Sequence, residues 1–110
     1  MKAAPLKLID DTYHPCSVDE VTHVRLRMPC PISDRIIPVI TKGDRENTPC
    51  WTWNGDTEKP TLKPSILTRT ETSKGVIVCH SFVTNGVVEF LTDCTHDSAG
   101  KILDLLDIDQ

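Results

Sequence analysis

The sequence predicts a mostly β protein: a small antiparallel sheet or sandwich, with hairpins that are zinc-ribbon-like, closed by one short C-terminal α-helix. Short stretches alternate polar with apolar or β-branched residues, which is the strand period. Eight prolines are spread along the chain and leave little room for long helices. Only residues 97–108 carry apolar groups at helical spacing. A chain of 110 residues supports one domain with one hydrophobic core, divided here into an N-terminal arm, 1–20, and a single β-rich domain, 21–110.

Residues 1–20 mix polar, apolar and proline residues without a sustained period, as expected of an extended arm or one edge strand with a loop. From Val21 the text VTHVRLRM places Val24, Leu26 and Met28 on one strand face and His23, Arg25 and Arg27 on the other; Pro29 and Pro31 end it. Residues 35–41 are β-branched, but Pro38 has no N–H for a ladder, so this strand is expected at a sheet edge. Residues 42–49 read as a surface loop. In CWTWNGD, Trp51 and Trp53 share a face that suits the core better than stacking on a ligand, and the Asn54-Gly55 turn signal stops the strand. Extended geometry continues through KPTLKP, a further strand runs over 65–72, and the helix is expected over 97–108 despite Gly100.

Residues 76–96, VIVCHSFVTNGVVEFLTDCTH, form the chemically richest stretch. A type I′ turn at Asn85-Gly86 sets a hairpin register in which Ser81 opposes Phe90 and His80 opposes Leu91. Extending that count puts Cys79 and Cys94 on one face as diagonal neighbours, with His96 sharing their parity. His80 then lies on the other face beside Asp93, and a His80 contribution to the same ion as Cys79 requires a bulge. Two readings of the thiols stand side by side, a metal site completed by a distant ligand such as Cys30 and ordinary buried packing. The His80 and Asp93 pair reads either as a structural hydrogen bond or as a base with its orienting carboxylate. A nucleophilic cysteine beside His80 or His96 is the weaker catalytic option, because catalytic pairs come from separate elements.

The net charge of −4, with scattered basic residues, argues against nucleic acid as a partner, and no apolar run approaches the ~20 residues that span a bilayer. Five cysteines cannot all pair within one chain, which suits a reducing compartment where thiols pack or bind metal.

The run CWTWNGDTEKPTLKPSIL, followed by VCHSFVTNGVVEFLTDCTHDSAGKILDL, resembles a small uncharacterised family of phage and prophage proteins. Members carry W-x-W/F-N-G-D, P-T-x-x-P-S-I, C-H-S-F and D-C/S-T-H motifs, and some are labelled ammonia monooxygenase. A chain without a spanning segment does not support that label. The resemblance implies a zinc site begun upstream by C-P-x-C-x-x-H. Here Cys30 remains, while Ser33 and Ile36 stand where the second cysteine and the histidine are expected. The ligands left to hold zinc, in an intact or degenerate site, are Cys30, Cys79, His80, Cys94 and His96.

These readings lead to an expected function: a non-enzymatic phage protein acting through protein–protein contacts, as a virion decoration or cement component or a host-directed accessory factor. Its partner is then a capsid or other virion protein, or a second copy. Its location is the host cytoplasm when made, and the virion afterwards. The alternative is a small zinc-dependent hydrolase at the base of the 76–96 hairpin, with Asp93 or Glu89 as base.

Overall fold

The computed structural model describes residues 1–41 and 50–108. Nine strands run through them: β1 (Ala3–Ile9), β2 (Thr12–Pro15), β3 (His23–Arg27), β4 (Asp34–Ile40), β5 (Trp51–Trp53), β6 (Leu62–Thr72), β7 (Gly75–Thr84), β8 (Val87–Phe90) and β9 (Ile102–Asp104). They make one sheet in the order β2-β1-β3-β4-β5-β6-β7-β8-β9. Every neighbouring pair is antiparallel except β4 with β5. The segment after β9 returns to the first strands, where Leu106 N–H donates to Arg27 O at 3.0 Å and Ile108 N–H to Met1 O at 2.9 Å. The sheet thereby curls around its own core.

Strand alternation builds that core. Val24 and Leu26 of β3, Ile37 and Val39 of β4, Trp53 of β5, Ile66 of β6, Cys79 and Val83 of β7, and Val88 and Phe90 of β8 all point inward and are buried. Met28 follows the β3 parity, as its sequence pattern predicts. The β7–β8 hairpin has the counted register from Thr84↔Val87 to Ser81↔Phe90, and Asn85 and Gly86 take the positive φ angles of 51° and 77° that a type I′ turn requires.

The chain departs from the sequence expectations in three places. The mostly β architecture holds, but the expected C-terminal α-helix is absent. Gly100 sits at φ 77°, its N–H donates to Phe90 O at 3.0 Å, and Ile102–Asp104 pair with β8 as a strand. Three apolar residues at helical spacing could not outweigh the unpaired edge of β8 that a strand satisfies. The 35–41 segment is interior instead of at an edge. β5 covers only Val39 and Ile40 of β4, so Pro38 lies just before that ladder begins and its missing N–H costs no bond there. Residues 1–20 contribute β1, an internal strand between β2 and β3, in addition to the outermost strand and a 3-10 turn at Val18–Glu20. The expected 42–49 loop lies outside the described residues.

Candidate active site

Two consecutive residues of β7 serve two different places because the strand turns alternate side chains to opposite faces. Cys79 points into the core and is fully buried, whereas His80 points outward. On the outer face, His80 Nε2 lies 2.9 Å from Ser65 Oγ on β6, and His80 Nδ1 lies 2.9 Å from Asp93 Oδ2 in the turn after β8. A hydroxyl, an imidazole and a carboxylate joined in line through the two ring nitrogens constitute the geometry of a nucleophile, its base and the group that orients the base. With the carboxylate accepting from Nδ1–H, Nε2 is left as an acceptor aimed at the serine hydroxyl.

Each member is held by local structure. The β6–β7 ladder shifts between Leu62 and Ile66, so Ser65 falls in an irregularity beside the cis Lys63–Pro64 bond. Ladder pairing resumes at Ile66↔Ser81 and Leu67↔His80. Trp51 Nε1 donates to Ser65 O at 3.1 Å and ties the backbone of Ser65 to β5. On the histidine side, Cys94 Sγ accepts from His80 N–H and donates to His80 O, both at 3.2 Å. The thiol supplies the acceptor for His80 N–H beyond the end of β8 at Phe90, while His80 O also accepts from Leu91 N–H at 2.9 Å.

The end of β8 also changes the register. After Phe90 the chain makes a tight turn, with Cys94 N–H donating to Leu91 O at 3.2 Å, and Thr95 N–H rejoins β7 at Val78 O at 3.0 Å. The count extended from the sequence put Asp93 opposite Val78, so the turn takes up two extra residues. Asp93 sits on that turn, which brings its carboxylate to the His80 ring.

Beneath the same strand, ligand atoms of Cys30, Cys79 and His96 all lie within 4.8 Å of one another. The two Sγ atoms are 3.7 Å apart. A tetrahedral ion with ~2.3 Å sulfur bonds has sulfur–sulfur edges of roughly 3.8 Å. His96 Nδ1 accepts from Ser98 N–H at 3.2 Å, and its Nε2 is buried without a partner. A buried, unpartnered ring nitrogen beside two thiols suits a metal ion. Coordination through Nε2 places the ring proton on Nδ1 and displaces the Ser98 amide from that contact. The Cys30 thiol is lowered to about 6, chiefly by its hydrogen bond with Cys79 and with help from the Arg35 guanidinium against the opposing effect of burial. Cys79 is pushed upward by the same bond and by burial. Arg35 is itself buried, donating to Ile32 O at 2.9 Å and to Thr68 Oγ1 and reaching to 3.7 Å from Cys30 Sγ. It is positioned to balance negative charge on the thiols.

Of the five ligands expected from sequence, Cys30, Cys79 and His96 come together, while Cys94 and His80 lie apart from them, joined to each other and to the outer-face triad. Ser65 was given no role by the sequence reading. A serine inside K-P-S-I carries no signal alone, and only its pairing across β6–β7 makes it the neighbour of His80.

No curated protein and no solved structure matches the chain. A family model does match, over residues 6–91, and it describes a bacterial ubiquitination-like system serine protease, BubE. This overturns the expectation of a non-enzymatic phage structural protein, and it leaves the virion location and the zinc-hydrolase alternative built on Asp93 or Glu89 without support. The matched stretch contains Ser65 and His80, with Asp93 two residues beyond its end. With most of its length covered, this chain belongs to the BubE family.

Proposed function

We propose that the protein is a serine protease acting within a bacterial ubiquitination-like system, with Ser65 as nucleophile, His80 as general base and acid, and Asp93 as the orienting carboxylate. The observation that carries this reading is the pair of 2.9 Å contacts that link Ser65 Oγ, the His80 ring and Asp93 in line. Ser65 Oγ attacks the substrate carbonyl as its proton passes to His80 Nε2. Asp93 stabilises the resulting imidazolium, and the same proton then goes to the departing amine as the C–N bond breaks. Water, deprotonated by His80, hydrolyses the acyl-serine and regenerates the hydroxyl. The chain order Ser, His, Asp differs from the orders used by chymotrypsin, subtilisin and α/β-hydrolases, which is no obstacle because the constellation is defined by geometry.

Zinc held by Cys30, Cys79 and His96 would tie three segments together: the turn after β3, strand β7 and the segment after β8. Two thiolates and a neutral imidazole are donors that zinc favours, and they make three of the four that a structural site takes. Bound there, the ion supplies a structural cross-link at the back of the strand that carries His80.

Fluorophosphonate labelling followed by peptide mass analysis tests the catalytic reading. A single adduct on Ser65, lost in Ser65→Ala together with cleavage of a ubiquitin-like fusion protein, is the expected result. Cleavage that survives Ser65→Ala sinks it. Metal content of purified protein, wild type against Cys30→Ser and His96→Ala, tests the zinc reading, and a metal-free wild type would remove it.

A further inference from the structure

Two hollows flank the triad on the outer face. One, of about 550 Å³, is bordered by His80, Asp93, Glu89 and Ile102 among others. The other, of about 540 Å³, is bordered by Cys50, Thr52, Leu62, Pro64, Phe82 and the Lys63 side chain. Phe82 follows His80 by two residues on β7, shares its outward face and remains 44% exposed, a large apolar ring left uncovered beside a nucleophile.

The chemistry of acyl transfer assigns the two hollows different occupants. His80 must hand its proton to the departing atom, so the leaving group lies on the histidine side of the attacked carbonyl and the acyl portion on the far side of Ser65. The triad runs from the turn carrying Asp93, through His80 on β7, to Ser65 on β6. Continuing past Ser65 leads to Pro64 and then to Cys50 and Thr52 of the β5 segment. The hollow with Phe82 and Pro64 is on the acyl side, and the one with Asp93 and Glu89 is on the leaving-group side.

We propose that the Phe82 hollow is the acyl-side specificity pocket, taking an apolar side chain of about leucine size from the segment that precedes the scissile bond. This rests on the serine-protease reading. Leu62, Pro64 and Phe82 give the pocket apolar walls that reward a desolvated hydrocarbon. The exposed Lys63 ammonium at its rim opposes a basic side chain there.

A leucine scan tests the pocket. Acetyl-tetraglycine aminomethylcoumarin amide and its four single-leucine versions are compared by kcat/KM. Leucine at one position raises kcat/KM by about tenfold or more over the all-glycine parent. Phe82→Ala brings that ratio close to one, and Phe82→Leu restores most of it, with matched thermal melts for both variants. A ratio that survives Phe82→Ala, no preference at any position, or no cleavage of any peptide by protein that fluorophosphonate labels at Ser65 overturns the pocket while leaving the triad intact. Peptide cleavage that persists in Ser65→Ala overturns the triad and the pocket together.

Discussion

The outer face of β7 and its inner face carry nearly the same kinds of residue to opposite ends. Outside, His80 meets a serine and a carboxylate across open sheet surface, and Asp93 is 59% exposed. Inside, the fully buried Cys79 meets Cys30 and His96, which are half-buried, with Arg35 buried beside them. Position in the strand sets the surroundings: the histidine faces the open outer surface, while the thiol one residue earlier faces the core. The Cys-His dipeptide is therefore one residue from each of two sites.

This contrast is broken most sharply at the nucleophile. Ser65→Ala and His80→Ala each lower kcat/KM by about 10³-fold or more. Ser65→Ala leaves the melting temperature close to wild type, because its hydroxyl closes no buried space. Asp93→Asn removes the carboxylate that selects the tautomer and lowers activity by roughly 10²–10⁴-fold, with the exposed position of Asp93 favouring the smaller figure. Steady-state peptidase assays beside thermal melts check both.

Cys79→Ala acts the other way. It empties space in the core and costs about 1–3 kcal/mol of stability in denaturant titrations. If the inner face holds zinc, chelation lowers the melting temperature of the wild type and leaves that of Cys79→Ala unmoved. A Cys79→Ala protein as stable as wild type would show that the inner cluster contributes nothing to folding.

The inner cluster also differs from a thiol elsewhere in the chain. The hydrogen bond with Cys79 and the Arg35 guanidinium lower the Cys30 thiol and favour its thiolate, whereas burial and the nearby Glu20 raise the thiol of Cys16, which follows β2 outside the cluster. Iodoacetamide at pH 7 should modify metal-free Cys30 ahead of Cys16, and zinc should protect Cys30 selectively. Equal rates at the two positions contradict the assigned environments.

The smallest effect belongs to neither face. Asp56, lowered by the N–H groups of Lys59 and Glu58 that its carboxylate accepts, steadies the turn before β6. A depressed carboxylate contributes stability above its unfolded pKa and loses it as pH falls. The small gap in melting temperature between wild type and Asp56→Ala should close as pH drops below about 4.

Much of the sheet was legible. The alternation through Val24, Leu26 and Met28, and the register set by Asn85-Gly86, depend only on neighbouring residues and a turn type. What failed depended on partners far along the chain. Gly100 could not reveal that β8 lacked a neighbour, and Pro38 gave no hint that β5 leaves it uncovered. For the site, the pairing of His80 with Asp93 was visible, but its meaning was not, because the third member lies on β6 and enters through a ladder irregularity. The parity argument carried Cys79 and His96 to the same place although its register had lapsed beyond Phe90. The turn there consumed an even number of residues and so returned His96 to the face of Cys79, while Cys94, of the same parity, bonds the backbone of His80 instead.

The Cys79-His80 step has a consequence for how the chain can change length. A single residue inserted or deleted between Ser81 and the Asn85-Gly86 turn, if absorbed by sliding the whole upstream strand, would present Cys79 to solvent and bury His80, disabling both sites in one event. The same change in the β6–β7 turn, which meets neither site, would alter only the rim of the sheet. Variation in length should therefore gather at that turn and stay out of the stretch that joins the two sites to their hairpin.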